Sequence, residues 1–180
     1  FQRDTGLPTV ATYGSSGQFA RQIAQGLPTD LFMSADEALV MQLADKGLTQ
    51  DKGAVYAVGR LALIVPRALA AGVSTEGDWS LVQASLSKAL ATAANAPTQR
   101  GASSAGIANT PPGITKFAIA NPEHAPYGRA AKEALIAMDL WRDAQARLVL
   151  GENIAQATQF VSTGAAQAGL TALSLAIAPE

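Results

Sequence analysis

Apolar positions along this chain change their period again and again, and each change marks an element. Thr9 to Tyr13 alternates β-formers and stops at Gly14-Ser15-Ser16-Gly17, after which Phe19, Ala20, Ile23 and Ala24 recur at helical spacing until Gly26. The pattern predicts strand, tight turn, helix. A second unit follows: Asp30 to Met33 reads as a short strand, and Ser34-Ala35-Asp36-Glu37 as the cap of a helix carrying Leu39, Val40 and Leu43. Ala54 to Val65 is a longer β-rich run broken by Gly59-Arg60, long enough to leave one lobe and enter another. Trp79 to Ala91 predicts a helix with Leu81, Leu86 and Leu90 inward. From Ala91 to Gly113 the chain is rich in Ala, Pro and Gly, carries Arg100 as its one charge and keeps no apolar period, which predicts a loop or insertion.

Order returns at Phe117 to Ala120, a short buried strand, and the turn Asn121-Pro122-Glu123-His124-Ala125-Pro126 leads into a helix whose Ala131, Leu135 and Met138 share a face. Leu148 to Leu150 is the next strand. Gly151-Glu152-Asn153 opens a helix with Ile154, Ala157, Phe160 and Val161, Gly164 ends it, and Ala168 to Leu175 reads as a last buried strand. Repeated βα units of this kind predict an α/β fold with mainly parallel sheets.

Composition narrows the function classes. A chain of 180 residues, 48% hydrophobic and 15% charged, is long enough to hide roughly 70% of its unfolded surface. Thirteen Lys and Arg against fourteen Asp and Glu leave a net charge of −1 without a basic stripe, so nucleic acid is not an expected partner. Apolar runs such as Leu61 to Val65 fall far short of the ~20 residues of a membrane span. The absence of cysteine excludes disulfides and thiolate chemistry, and the single histidine, His124, excludes a multi-histidine metal site. The chain opens on Phe1 rather than Met, which suggests processing or truncation of a natural start.

Candidate chemistry collects where strands hand over to helices. In open α/β sheets, ligands bind beyond the carboxyl ends of strands, where helix N-termini present unsatisfied N–H groups and a partial positive charge. Gly14 to Gly17, Pro122 to Gly128 and Gly151 to Ile154 have that form. Ser15 and Ser16 add hydroxyls at the first, Tyr127 a phenol at the second. Together they would line an anion pocket made of donors. The structural readings stand beside this one: serine as a cap, glycine as a turn residue, Tyr127 as a core aromatic, His124 as a loop residue, Asp30 and Asp36 as turn and cap. A serine hydrolase using Ser16, His124 and Asp30 is the competing enzyme reading, although Gly14-Ser15-Ser16-Gly17 does not fit G-x-S-x-G. Neither a G-x-x-x-x-G-K-[ST] loop nor a G-x-G-x-x-G occurs.

At these same junctions the sequence resembles the periplasmic molybdate-binding proteins of ABC importers. The matching stretches are Tyr13 to Ile23, Pro28 to Asp36, Tyr56 to Leu63, Ala120 to Leu135 and Gly151 to Ala157, in the family's order, and they are spread along the chain outside Ala68 to Lys116. The resemblance implies a two-lobed binding protein, with a first lobe over residues 1–59 that is incomplete and a second over 60–180. The family's first strand, serine-bearing loop and first helix would precede Phe1, and its return to the first lobe would follow Glu180.

The implied ligand is molybdate or tungstate, held by neutral donors without a cofactor or bare metal cation. Ser16 would donate its hydroxyl and N–H, Tyr127 and the N–H of Ile154 would donate from the second lobe, Ser15 would sit beside Ser16, and Ala125 would shape the wall. Where some members place a tyrosine, this chain has Ala172, so Tyr127 would supply the phenol. The resemblance further implies a periplasmic or membrane-tethered exported protein, monomeric when complete, that catalyses nothing and delivers its ligand to an ABC permease. Sulfate or another oxyanion, or an anion-sensing regulatory domain, are the alternatives within the same fold. Sulfate is also a tetrahedral dianion, so discrimination against it must rest on pocket size.

Overall fold

In the segment Phe117-Ala118-Ile119-Ala120 large and small side chains alternate, and in a strand that alternation assigns them to opposite faces. The computed structural model describes residues 2–65, 79–94 and 113–178. Its sheet has strands β1 (Leu61–Ile64), β2 (Phe117–Ala120), β3 (Leu148–Gly151) and β4 (Ala168–Ala172) in the order β1-β4-β2-β3. β2 pairs parallel with β3, Phe117 opposite Leu148, and parallel with β4, Phe117 opposite Ala168. β1 runs antiparallel to β4, Leu61 opposite Ala172. The sheet is therefore mainly parallel, as the βα pattern predicts.

Phe117 and Ile119 point to the face covered by α4 (Trp79–Ala94), α5 (Pro126–Ala137) and α6 (Trp141–Gln145), where they pack with Leu86, Leu90, Ala131, Leu135 and Leu140. Phe117, Ile119, Leu90 and Leu135 are fully buried, each contributing roughly 1.5–3 kcal/mol through its removal from water. Ala118 and Ala120 face the other way, toward α7 (Ile154–Ser162), whose Val161 and Ala157 close the thinner side. Small residues are required there: a Cβ on Gly169 would stand 2.5 Å from the Ala118 carbonyl oxygen.

Ahead of the sheet lie α1 (Gln2–Thr5), α2 (Ser16–Ala24) and α3 (Glu37–Asp45), and after it comes α8 (Leu173–Ala176). Asp36 caps α3 by accepting the Ala38 N–H, which bears out its reading as a cap. Gly26 follows α2 at φ +97°, a conformation that ends a helix and that glycine adopts without strain.

Five expectations are corrected. Thr9 to Tyr13 and Asp30 to Met33 are not strands, and of Ala54 to Val65 only Leu61–Ile64 is. Alternation prepares a segment for a sheet, but a strand exists only where a neighbour supplies ladder hydrogen bonds, and these segments have none among the described residues. The last strand stops at Ala172, because the backbone then turns into α8, with the Leu173 N–H donating to the Arg60 carbonyl. Helix α4 continues to Ala94, past the expected loop boundary at Ala91, and Ile114 is buried with its N–H on the Ala89 carbonyl. The rest of that expected loop, 95–112, lies outside the described residues, as does the side chain of Leu81.

Candidate functional site

Ser15 occupies the N-cap of α2 with extended backbone, yet its hydroxyl does not cap that helix. It donates instead to the His124 carbonyl at 2.7 Å, fastening the start of α2 to the turn before α5. Ser16 is buried, and its Oγ accepts the Ala35 N–H at 3.1 Å. With that lone pair used, the Ser16 hydroxyl proton is left to be donated. Gly17 touches the same turn so closely that a Cβ would stand 2.2 Å from the His124 carbonyl oxygen.

The turn is built by Asn121. Its side chain accepts the Glu123 N–H at 2.9 Å, and its carbonyl accepts the Ala125 N–H at 2.9 Å. Ala125 is buried at the N-cap of α5 and Pro126 follows at the first helical position, as the sequence predicts. Tyr127 is half-buried, and its phenol lies against Gly59, where a Cβ would come within 2.3 Å of the oxygen. Helix geometry gives the N–H of Tyr127 no intrahelical acceptor.

At the third junction Asn153 caps α7 by accepting the Gln156 N–H at 3.0 Å, while Gln156 Oε1 takes the Glu152 N–H at 2.7 Å. This reciprocal arrangement resembles a capping box and leaves the N–H of Ile154 at the first turn without an intrahelical acceptor. The Ile154 side chain packs with Ala120, Ala125 and Ala157, and the Asn121 N–H donates to the Gly151 carbonyl at 2.7 Å. The second and third junctions are thus one unit.

The first joins them through side chains. Gln18, in the opening turn of α2, donates to Glu152 at 2.9 Å, and His124 has Ser15 Oγ 3.4 Å from Nδ1 and Glu152 3.5 Å from Nε2. Arg129 pairs with Asp36. The N-termini of α2, α5 and α7 therefore meet, and their partial positive charges act on the same region. Of the residues expected at the site, Ser15, Ser16, Ala125 and Ile154 lie on these joined turns, and Tyr127 is the second residue of α5. Two nearby carboxylates are engaged: Asp36 with Arg129, Glu152 with Gln18 and His124. Such a region suits a small anion held by neutral donors.

The hydrolase constellation is not assembled. His124 faces Ser15 rather than Ser16, the Ser15 proton goes to a carbonyl, and Asp30 lies exposed without a hydrogen bond to His124. Among the described residues there is likewise no group of three or more His, Asp or Glu placed to hold a metal ion. Sequence reasoning missed Ala35, Gly59, Arg129 and the outward half of Asp36. Each acts through tertiary contact, and the hydrophobic period gives no signal for it.

Comparison with known proteins identifies the family and the fold. The family described as bacterial extracellular solute-binding protein matches residues 1–180. The chain is 32% identical over 175 residues to the molybdate-binding protein ModA of Azotobacter vinelandii, covering 97% of this chain and 57% of that protein. It is 31% identical over 181 residues to ModA of Rhodobacter capsulatus, covering 100% of this chain and 59% of that one. In three dimensions it matches the periplasmic molybdate-binding protein of Azotobacter vinelandii with a TM-score of 0.69 and 30% identity, over 96% of this chain and 63% of that one. The chain spans less than two thirds of the length of these relatives.

Proposed function

The chain belongs to the bacterial extracellular solute-binding protein family, and on that premise we propose that it is the molybdate- or tungstate-binding part of an ABC importer's capture protein. The observation that carries this reading is that side-chain hydrogen bonds tie the opening turn of α2, where Ser16 is buried, to the turns that precede α5 and α7. Molybdate at neutral pH offers only acceptors, and a site of N–H and O–H donors matches it without a counter-charge. The names of the relatives, which bind molybdate, support the same choice.

In this reading residues 1–59 and 60–180 are two lobes. Ser16 donates its hydroxyl and N–H from the first, and Tyr127 and the Ile154 N–H donate from the second. Ser15 fixes the first donor loop by its bond to His124, and Ala125 forms the wall. The oxyanion bridges both lobes, so it stabilises their closed arrangement by its differential affinity, and a membrane permease reads that arrangement. The protein works outside the cytoplasmic membrane, in the periplasm; among the described residues no helix is long and apolar enough to cross it. It needs no cofactor and catalyses no reaction.

Calorimetric titration with molybdate, tungstate, sulfate and phosphate tests the proposal. Binding of molybdate and tungstate but not of sulfate or phosphate is expected. Ser16→Ala should lose about tenfold to a hundredfold in affinity, the worth of a hydrogen bond to a charged ligand. Equal binding of all four anions, or wild-type affinity in Ser16→Ala, would refute this site.

A further inference from the structure

Two backbone segments bring the candidate donors together, and one ion pair ties them. Asp36 divides its carboxylate: Oδ1 accepts the Ala38 N–H at 2.9 Å and caps α3, while Oδ2 meets the Arg129 guanidinium. The residue before it, Ala35, supplies the N–H that orients the Ser16 hydroxyl. Arg129 lies two positions beyond Tyr127 on α5, and its own N–H donates to the Ala125 carbonyl at 3.1 Å. The two charged side chains are only 38% and 24% exposed, so water screens them less than a surface pair. Other side-chain contacts across the same boundary, Ser15 with the His124 carbonyl and ring and Gln18 with Glu152, do not join two fixed charges.

We propose that Arg129 and Asp36 are positioning residues that hold the Ser16 loop and the Tyr127 helix at the separation an oxyanion needs, without touching it. The inference rests on the molybdate reading for its ligand, but not for its geometry. Breaking the pair leaves both donor loops folded on their own turns and lets the distance between them vary. The closed arrangement is then less populated, and apparent affinity falls in proportion.

Asp36→Asn separates the two tasks of that side chain, because asparagine still caps a helix but carries no charge. Arg129→Gln removes the partner. Each should raise the Kd for molybdate at least about fivefold, mainly through faster release, with the double variant no weaker than the worse single one. Thermal unfolding of Asp36→Asn should stay near wild type.

A ligand-free measurement stands beside the titration. The chain has no cysteine, so spin labels at Lys52→Cys and Glu133→Cys, both exposed positions, report one distance. That distribution should be narrow with the pair intact and broad in Asp36→Asn. An unchanged distribution together with an unchanged Kd would overturn the inference. If the intact chain binds no molybdate yet the distribution broadens, the positioning role stands and the ligand assignment falls.

Discussion

Gly59 and Gly17 both lack a side chain where a neighbour comes close, but the neighbours differ in kind. At Gly59 the obstacle is the phenol of Tyr127, the far end of a side chain that can swing. Gly59→Ala is therefore expected to cost less than about 1 kcal/mol of stability while displacing the hydroxyl, and to weaken molybdate binding to about the level of Tyr127→Phe. Titration of both variants and of their combination checks this: independent, additive losses would show that the phenol is not what Gly59 governs. At Gly17 the obstacle is the His124 carbonyl, which no rotamer can move. Gly17→Ala should shift α2 off the turn and cost about 1–3 kcal/mol in urea unfolding, besides binding. The sequence marks Gly17 as part of a tight turn and Gly59 as a break in a β-rich run. What each one meets is more than forty residues away, and a linear pattern carries no trace of it.

Apart from α6, which the sequence reading did not include, the elements from Phe117 to Ala172 follow the sequence closely, since each combines an apolar period with a local stop or start signal: Pro126 opening α5, Asn153 capping α7, Gly164 at φ +76° closing it. Local signals suffice there because β2, β3 and β4 find partners within the same stretch, and only β4 takes a second neighbour, β1, from outside it. Val10 and Val58 sit in segments with equally good alternation and stay unpaired, because pairing is a property of two segments. The same contrast separates the two faces of β2. Ala118→Leu would force a longer side chain against Val161 of α7 and should cost about 1–3 kcal/mol by overpacking, whereas Leu135→Ala on the thicker side should cost about 2–5 kcal/mol through the cavity it leaves. Chemical denaturation of the two variants would test the assignment, and a harmless Ala118→Leu would mean that α7 does not press on the sheet.

For the whole molecule, the sheet-bearing part and the segment ahead of it differ in how they treat apolar side chains. Phe117, Ile119 and Leu135 are sealed, while Val10 is 94% exposed, Tyr13 91%, Val58 83% and Leu31 78%. These exposed residues lie in extended segments whose backbone groups have no sheet partner among the described residues. Apolar side chains on open strand-forming backbone form a template for a further strand. The 180-residue chain by itself is accordingly expected to associate as its concentration rises, through this segment and not through the sheet. Sedimentation velocity over a hundredfold range of concentration should show the shift, and Val10→Lys with Val58→Lys should suppress it by placing charge on those backbones, while leaving the unfolding of the Phe117 core unchanged. A chain that stays monomeric throughout would mean that the exposed segments shield one another in solution, and the contact through Ser15, Gln18 and Asp36 would then be reinforced by apolar packing as well as by polar bonds.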